Sequence, residues 1–98
     1  MGDQLDFRDA ADASRFELRS GTELVSVLDY RVQGQKIELT RAYTDPAQRG
    51  HGYAGIITER AVRAIAERGT QQVVPRCWYV ADWFARHPEF RSLVADGR

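Results

Sequence analysis

The chain has 98 residues, of which 43% are hydrophobic, a size that suits a single domain over residues 1–98 with a modest core. Fourteen basic and 14 acidic residues give a formal net charge of zero, which disfavours nucleic-acid binding because that class usually shows a basic excess. The single cysteine, Cys77, excludes an internal disulfide, and the lack of a long apolar run or signal-peptide pattern predicts a cytoplasmic protein without a membrane partner.

The first half of the chain predicts a series of antiparallel strands. Alternating or continuous apolar residues place these strands at residues 4–8, 15–19, 23–32 and 36–43. Turns at 20–22 and 33–35 each contain a glycine and are short enough to join neighbouring strands as hairpins. Residues 1–4 and 95–98 are expected to be loosely held.

The second half predicts helices alternating with one further strand. The elements are an amphipathic helix ending at Arg68, a short strand at 71–74, a second helix at 78–86 and a short turn at 90–94. The order β(β)ββ-α-β-α describes an α+β or α/β fold with a mixed, mostly antiparallel sheet and two main helices. A strand–helix–strand crossover makes strands 36–43 and 71–74 parallel, and we expect a ligand cleft where their carboxyl ends part.

The segment between the fourth strand and the first helix is the main candidate site. Gly50 and Gly52 leave no Cβ atom in the path of a ligand that approaches the backbone. The first helical turn offers unpaired amides and a partial positive charge, and Arg49 adds a full charge beside them. Together these features predict an anion site, most naturally for phosphate or pyrophosphate.

Three ligand motifs compete for this loop. A Walker A sequence is excluded because no lysine follows the glycines. Residues 50–55 match the dinucleotide pattern G-x-G-x-x-G, but at least two strands precede them and no acidic residue ends strand 71–74. Residues 49–54, RGHGYA, match Arg/Gln-x-x-Gly-x-Gly/Ala, the acyl-CoA pyrophosphate loop of the GNAT N-acetyltransferases, which this sequence resembles. A strand-to-helix turn that binds nothing is the remaining alternative.

Motifs on both sides of the loop extend the resemblance over about residues 5–94. Small single-domain GNAT-like proteins share sequence patterns whose counterparts here are residues 15–17 (RFE), 28–30 (LDY), 37–40 (IELT), 46–54 (PAQRGHGYA), 73–77 (VVPRC) and 87–90 (HPEF). The resemblance implies a minimal GNAT fold that lacks the usual N-terminal helices and uses acetyl-CoA. It also implies that a small-molecule or peptidyl amine attacks the thioester directly.

The resemblance assigns roles to individual residues. The pyrophosphate would be held by Arg49, Gly50, His51, Gly52, Tyr53 and Ala54. The backbone of Tyr43 and Thr44 would pair with the pantetheine amides like an added strand. Cys77 is expected to face the cleft near the thioester, where it is a candidate for cofactor binding and acetyl relay; a small packing residue is the alternative. No metal site is expected.

Two departures from the family pattern concern catalysis. Relatives read T-H-T-E-V where this chain reads TRAYT over residues 40–44, so their His and Glu become Arg41 and Tyr43. The tyrosine that larger GNAT proteins place in the last helix, where it protonates the leaving thiolate, corresponds here to Phe84. An acyl-CoA-binding module with little or no catalysis is therefore the alternative function, and a plain interaction domain is a third.

Five further residues are weaker site candidates. Tyr79 would supply a hydroxyl to the site, although packing on an amphipathic helix is the more common role of such a residue. Trp78 and Trp83 are expected in the core or in a cleft wall. His87 is more typical of a capping cation than of a base, and Glu38 is expected on a solvated face of the sheet.

Overall fold

The computed structural model describes residues 4–95. Of the ends predicted to be loosely held, residues 1–3 and 96–98 therefore lie outside the described residues. Within this range, five strands form one sheet in the order β1-β2-β3-β4-β5. The strands are β1 (Leu5–Ala10), β2 (Arg15–Ser20), β3 (Glu23–Gln33), β4 (Lys36–Thr44) and β5 (Gln72–Pro75). The helices are α1 (Tyr53–Arg68) and α2 (Trp78–Arg86), with short 3-10 helices at Ala11–Ala13, Pro46–Gln48 and Pro88–Leu93.

The expected mixed sheet is confirmed. Strands β1 to β4 pair antiparallel with their neighbours, whereas β4 and β5 pair parallel on either side of the crossover through α1. Two-residue loops join β2 to β3 and β3 to β4. Each loop begins with a glycine, Gly21 or Gly34, in the positive-φ conformation that such tight hairpins require.

Both helices pack on one face of the sheet. Fully buried side chains from three strands, Phe16, Leu28 and Ile37, share one cluster with Ile57 of α1 and Val80 of α2. These residues fall at strand positions that alternate with polar ones and at helix positions on one side of each helix. The fold is therefore two layers, a sheet and a pair of helices, around one core.

The opposite face of the sheet carries mainly polar side chains and no helix within residues 4–95. Cross-strand register places Arg8 opposite Glu17, Asp29 opposite Arg41 and Arg31 opposite Glu38. We call this surface the open face. Its charged and aromatic side chains are Asp6, Arg8, Arg15, Glu17, Arg19, Asp29, Arg31, Lys36, Glu38, Arg41, Tyr43 and Arg76.

An extra residue in β4 determines which of its side chains face the helices. Leu39 lies opposite Tyr30 and Arg41 lies opposite Asp29, which leaves Thr40 as a β-bulge. A bulge reverses the alternation of a strand, so Leu39 is buried in the core whereas Arg41 lies on the open face. Beyond the bulge, the side chains on the helix side are those of Ala42 and Thr44.

The parallel strands β4 and β5 part at Leu39. Their pairing covers Lys36 to Leu39 on β4, and Leu39 lies opposite Pro75, the last residue of β5. The amides of Arg76 and Cys77 then donate to the Leu39 carbonyl, at 3.0 and 3.1 Å, and the chain turns away into α2. The last residues of β4 therefore project past the end of β5, and a gap opens at the carboxyl ends.

The described C-terminal segment is held against β5. The Ala95 amide donates to the Val73 carbonyl at 2.8 Å, and Ala95 is only 5% exposed. Ala95 was expected in a loose end, and this backbone bond and burial correct that expectation for this residue. Among the described residues, no helix combines the length and the apolar character needed to span a membrane.

Candidate functional site

The loop between β4 and α1 is open on its glycine side. Asp45 Oδ1 accepts a hydrogen bond from the Ala47 amide at 3.0 Å, which fixes the turn that precedes the loop. Gly50 and Gly52 have φ angles of 94° and 76°, a region that side chains rarely adopt. A Cβ atom added to either glycine would meet no atom within 4 Å. The backbone is therefore accessible to a ligand from that side.

The start of α1 adds hydrogen-bond donors to the loop. The first helical bond runs from the Ile56 amide to the Gly52 carbonyl at 3.1 Å, so the amides of residues 53–55 precede it. Gly52 is the N-cap residue and supplies no side-chain acceptor. Amides in this position, together with the helix dipole, attract anions. The exposed Arg49 adds a full positive charge next to them.

A cavity of about 330 Å³ lies against these donors. It is lined by residues 48–50 and 52–55, by Ala42 and Thr44 of β4, and by Tyr79 of α2. We call it the loop cavity. Its lining residues within the described chain include one arginine but no carboxylate or imidazole, so the wall is suited to an anion.

The backbone of β4 also faces the loop cavity. The Asp45 amide donates to the Val25 carbonyl of β3 at 3.2 Å. Because pairing groups alternate along an antiparallel strand, the amide and carbonyl groups of Ala42 and Thr44 point away from β3. Strand β5 has ended at Pro75, so these groups are open to an extended ligand that pairs like an added strand.

The structure brings together most of the predicted cofactor-binding residues. Those that line the loop cavity are Thr44, Arg49, Gly50, Gly52, Tyr53 and Ala54. Ala42 and Gly55 also line it and were not predicted. Ala42 was missed because the bulge at Thr40 is not visible in the alternation of the sequence.

Three predicted site residues do not line the loop cavity. His51 is exposed and stacks on Tyr53, with 5.3 Å between ring centroids. Tyr43 lines a separate cavity of about 280 Å³, because the bulge at Thr40 turns its side chain to the open face. Cys77 is half-buried and packs against the core, which matches the packing alternative.

A second cavity, of about 540 Å³, lies between α1 and α2 and is called the helix groove. Gly52, Gly55 and Tyr79 line both cavities, so the two are contiguous. Trp78 forms one side of the groove and is 79% exposed, whereas Trp83 is buried at its base. The exposed indole of Trp78, next to an anion site, is suited to stacking with an aromatic base.

Tyr79 is the side chain of α2 that reaches the loop cavity. Its hydroxyl lies 3.5 Å from the position that a Cβ atom of Gly55 would take. Burial raises the pKa of the Tyr79 phenol above its ordinary value; the nearby Arg86 opposes this shift and Asp82 adds to it. Phe84, which the resemblance matches to the tyrosine of larger GNAT proteins, lines a different cavity beside Pro75.

The two other acid–base candidates, His87 and Glu38, make hydrogen bonds or ion pairs within the fold. His87 Nδ1 donates to the Trp83 carbonyl at 2.7 Å, and the two rings stack 3.8 Å apart. Glu38 is 4% exposed, contrary to the expected solvated position, because Arg31 and Arg76 cover it at 3.0 and 3.6 Å. Glu38 also lies on the open face, away from the loop cavity.

The parted parallel strands, the glycine loop and the open helix start define the GNAT class of N-acetyltransferase domains. A sequence model of the family described as GCN5-related N-acetyl-transferase matches residues 15–93, and the chain belongs to this family. The predicted class, a small GNAT-like N-acetyltransferase domain, is thereby confirmed.

A solved structure supports the same fold. The chain is similar to the crystal structure of the ribosomal-protein-S18-alanine N-acetyltransferase from Escherichia coli, with a TM-score of 0.55 and 15% sequence identity. The similarity covers 74% of this chain and 42% of that chain, so the present chain corresponds to less than half of that protein. No curated protein sequence matches the chain.

Proposed function

We propose that the protein binds acetyl-CoA and transfers its acetyl group to an amine. The observation that carries this proposal is the loop cavity, in which open glycines, first-turn amides and free β4 backbone groups meet. Family membership supports the same activity. The acceptor class is a small-molecule or peptidyl amine.

The residues present fit a diphosphate followed by an amide-containing arm. The amides of residues 53–55 and the guanidinium of Arg49 would hold the negative charge. The open sides of Gly50 and Gly52 would admit the phosphate oxygens close to the backbone. The backbone of Ala42 and Thr44 would pair with the amides of the arm.

The helix groove would receive the nucleotide end of the same ligand. It is contiguous with the loop cavity, and the exposed Trp78 provides a platform on which a base can stack. In this arrangement the two cavities bind one ligand across the shared wall of Gly52, Gly55 and Tyr79.

Bound acetyl-CoA supplies a thioester that a neutral amine attacks directly. The Tyr79 phenol, whose pKa is raised by burial, is protonated at neutral pH, and its hydroxyl would donate a hydrogen bond to the diphosphate held beside Gly55. The departing thiolate would take its proton from water. The loop cavity has no carboxylate or imidazole among its described lining residues, so the amine loses its proton to water. Because the amine attacks the thioester directly, transfer would need no acetyl-cysteine step.

Two measurements test the proposed function. Calorimetry with acetyl-CoA should show binding, and its absence at millimolar ligand would exclude both an enzyme and a CoA-binding module. A thiol-release assay over a panel of small and peptidyl amines should show turnover above hydrolysis. The binding-module alternative is favoured by the lack of a base in the loop cavity, and it predicts binding without turnover.

A further inference from the structure

The open face buries two of its four acidic side chains, Glu17 and Glu38, and exposes most of its basic ones. Glu17 is the first of these buried acidic residues. Its side chain is 8% exposed and lies between Arg15 at 2.8 Å and Arg19 at 3.2 Å. Burial pushes the pKa of Glu17 up, but the bonds and charges of the two arginines outweigh it and hold the pKa below its ordinary value. Glu17 is therefore ionised, and the two guanidinium groups around it leave one positive charge uncompensated.

A second group repeats this arrangement on β3, β4 and the end of β5. The side chain of Glu38 is 6% exposed and lies between Arg31 and Arg76. The side chains of these two arginines are 65% and 61% exposed, so their remaining N–H groups point to solvent. One buried carboxylate again accompanies two accessible guanidinium groups.

Arg41 occupies the surface between the two groups. Its guanidinium lies 4.9 Å above the ring centre of Tyr43 and 3.4 Å from Asp29. Stacking on the ring restricts the orientation of the guanidinium, and the Arg41 side chain is 59% exposed, so its N–H groups that are not directed at Asp29 are accessible to an anion. The open face as a whole bears seven basic and four acidic side chains, although the chain has no net charge.

The helix layer does not show the same excess of basic over acidic side chains. Its exposed arginines include Arg63 and Arg86, which pair with Glu59 at 3.0 Å and Asp82 at 3.1 Å, one acid to one base. These carboxylates are also about half exposed, unlike Glu17 and Glu38. The combination of an excess of arginine and buried acids therefore distinguishes the open face.

We propose that the open face docks an acidic polypeptide segment of a partner protein. Arginine binds carboxylates through paired N–H groups, and Arg15 shows this recognition within the chain itself, with Nε and one Nη both 2.8 Å from the Glu17 carboxylate. A flat sheet surface suits an extended segment. Nucleic acid is disfavoured because Tyr43 is the one exposed aromatic ring on the described open face, whereas single strands need successive stacking platforms.

This docking is independent of the proposed acetyl transfer. The open face lies on the side of the sheet opposite the helices and the loop cavity. A bound acidic segment should therefore leave acetyl-CoA binding unchanged, and acetyl-CoA should not displace the segment.

The test uses fluorescence anisotropy with a labelled peptide of alternating Glu and Ser at an ionic strength of about 20 mM, where surface charges are weakly screened. The variant is R31Q/R41Q, which leaves Arg76 beside the buried Glu38. The charge-matched control is R60Q/R63Q on α1. Arg49→Gln provides a second control, because it removes a positive charge from the loop. Thermal melts verify that each variant is folded.

We expect the wild-type chain and both controls to bind the peptide, and R31Q/R41Q to bind about tenfold more weakly, the loss of about two charge-assisted contacts. Absence of peptide binding to the wild type overturns the proposal. Equal loss in R60Q/R63Q shows unspecific attraction, and loss in Arg49→Gln places the peptide in the loop; either result overturns it. Tighter binding of a single-stranded RNA oligonucleotide overturns it in favour of nucleic acid.

Discussion

The hydroxyl of Tyr79 lies 3.5 Å from the point where a Cβ atom of Gly55 would stand. Helix α2 thus touches the first turn of α1 at the wall between the loop cavity and the helix groove. This contact brings a hydroxyl donor next to the amides that attract an anion. It also leaves room for little more than a methyl group at position 55.

Substitution of Gly55 tests the width of this wall. Gly55→Ala should raise the free energy of unfolding by about 0.5–1 kcal/mol, because alanine is the better helix former and 3.5 Å is an ordinary contact. Gly55→Leu should weaken acetyl-CoA binding by about tenfold or more, because atoms beyond Cβ overlap Tyr79. Calorimetry and thermal melts measure both effects. Equal affinity of the Leu and Ala variants would place the ligand elsewhere.

Gly52→Asp should weaken acetyl-CoA binding by about tenfold or more, because a carboxylate there repels the phosphates and fills the open side of the loop. Gly34→Asp is the matched control, since Gly34 also has a positive φ, of 58°, but lies in the β3–β4 hairpin. Both variants should lose similar stability in denaturant titrations. Similar affinities of the two variants in calorimetry would contradict the assignment of the loop.

Tyr79→Phe should weaken acetyl-CoA binding by about tenfold with little change in kcat, since it removes one hydrogen-bond donor beside the diphosphate. In the wild type, the affinity for acetyl-CoA should fall only above pH 10.0, because burial raises the pKa of the Tyr79 phenol above that ordinary value. Calorimetry across pH and steady-state kinetics measure these effects. A loss of kcat with unchanged affinity would contradict this role.

Trp78→Ala should weaken binding of acetyl-CoA by about tenfold, the loss expected for one stacked base. The same variant should bind acetyl-pantetheine, which has no nucleotide, as well as the wild type does. Because Trp78 is 79% exposed, its removal should leave stability nearly unchanged. Trp78→Phe retains an aromatic surface and should retain most of the affinity. Equal weakening of both ligands would exclude a role in base stacking.

A further prediction concerns stability at high pH. The Tyr30 hydroxyl donates to Asp9 Oδ1 at 2.6 Å, and burial together with this bond raises the pKa of Tyr30 to about 12. The unfolded chain releases this proton near pH 10, so the stabilisation is complete below pH 10 and is lost as pH rises towards 12.

Tyr30→Phe should therefore lower the free energy of unfolding by about 1 kcal/mol at neutral pH. The difference from wild type should shrink between pH 10 and 12. Tyr43→Phe, on the exposed side of the sheet, is the control for the loss of a hydroxyl as such. Chemical denaturation at several pH values provides the measurement, and a constant difference up to pH 12 would contradict the proposed bond.

The sequence was most informative where structure depends on near neighbours along the chain. The strand bounds follow from alternation, the hairpins from Gly21 and Gly34, and the glycine loop before α1 from residues 49–54. Each of these patterns is local, and the structure reproduces each within a few residues.

The sequence was less informative where partners come from distant segments. Glu38 is buried because Arg31 and Arg76, from neighbouring strands, cover it. The bulge at Thr40 arises from pairing with β3 and decides that Ala42, not Tyr43, faces the loop cavity. Neither the burial of Glu38 nor the bulge at Thr40 can be predicted from the residues next to it in the sequence.

The bond between Ala95 and Val73 also has a consequence for self-association. The outer border of β5 is already occupied by the chain's own backbone at Val73, whereas β1 has a strand neighbour on one side only within residues 4–95. Edge-to-edge growth of sheets needs two free borders on each molecule. Two copies can meet through β1, and the joined sheet then presents at each end a β5 border that is already blocked at Val73 against a further strand.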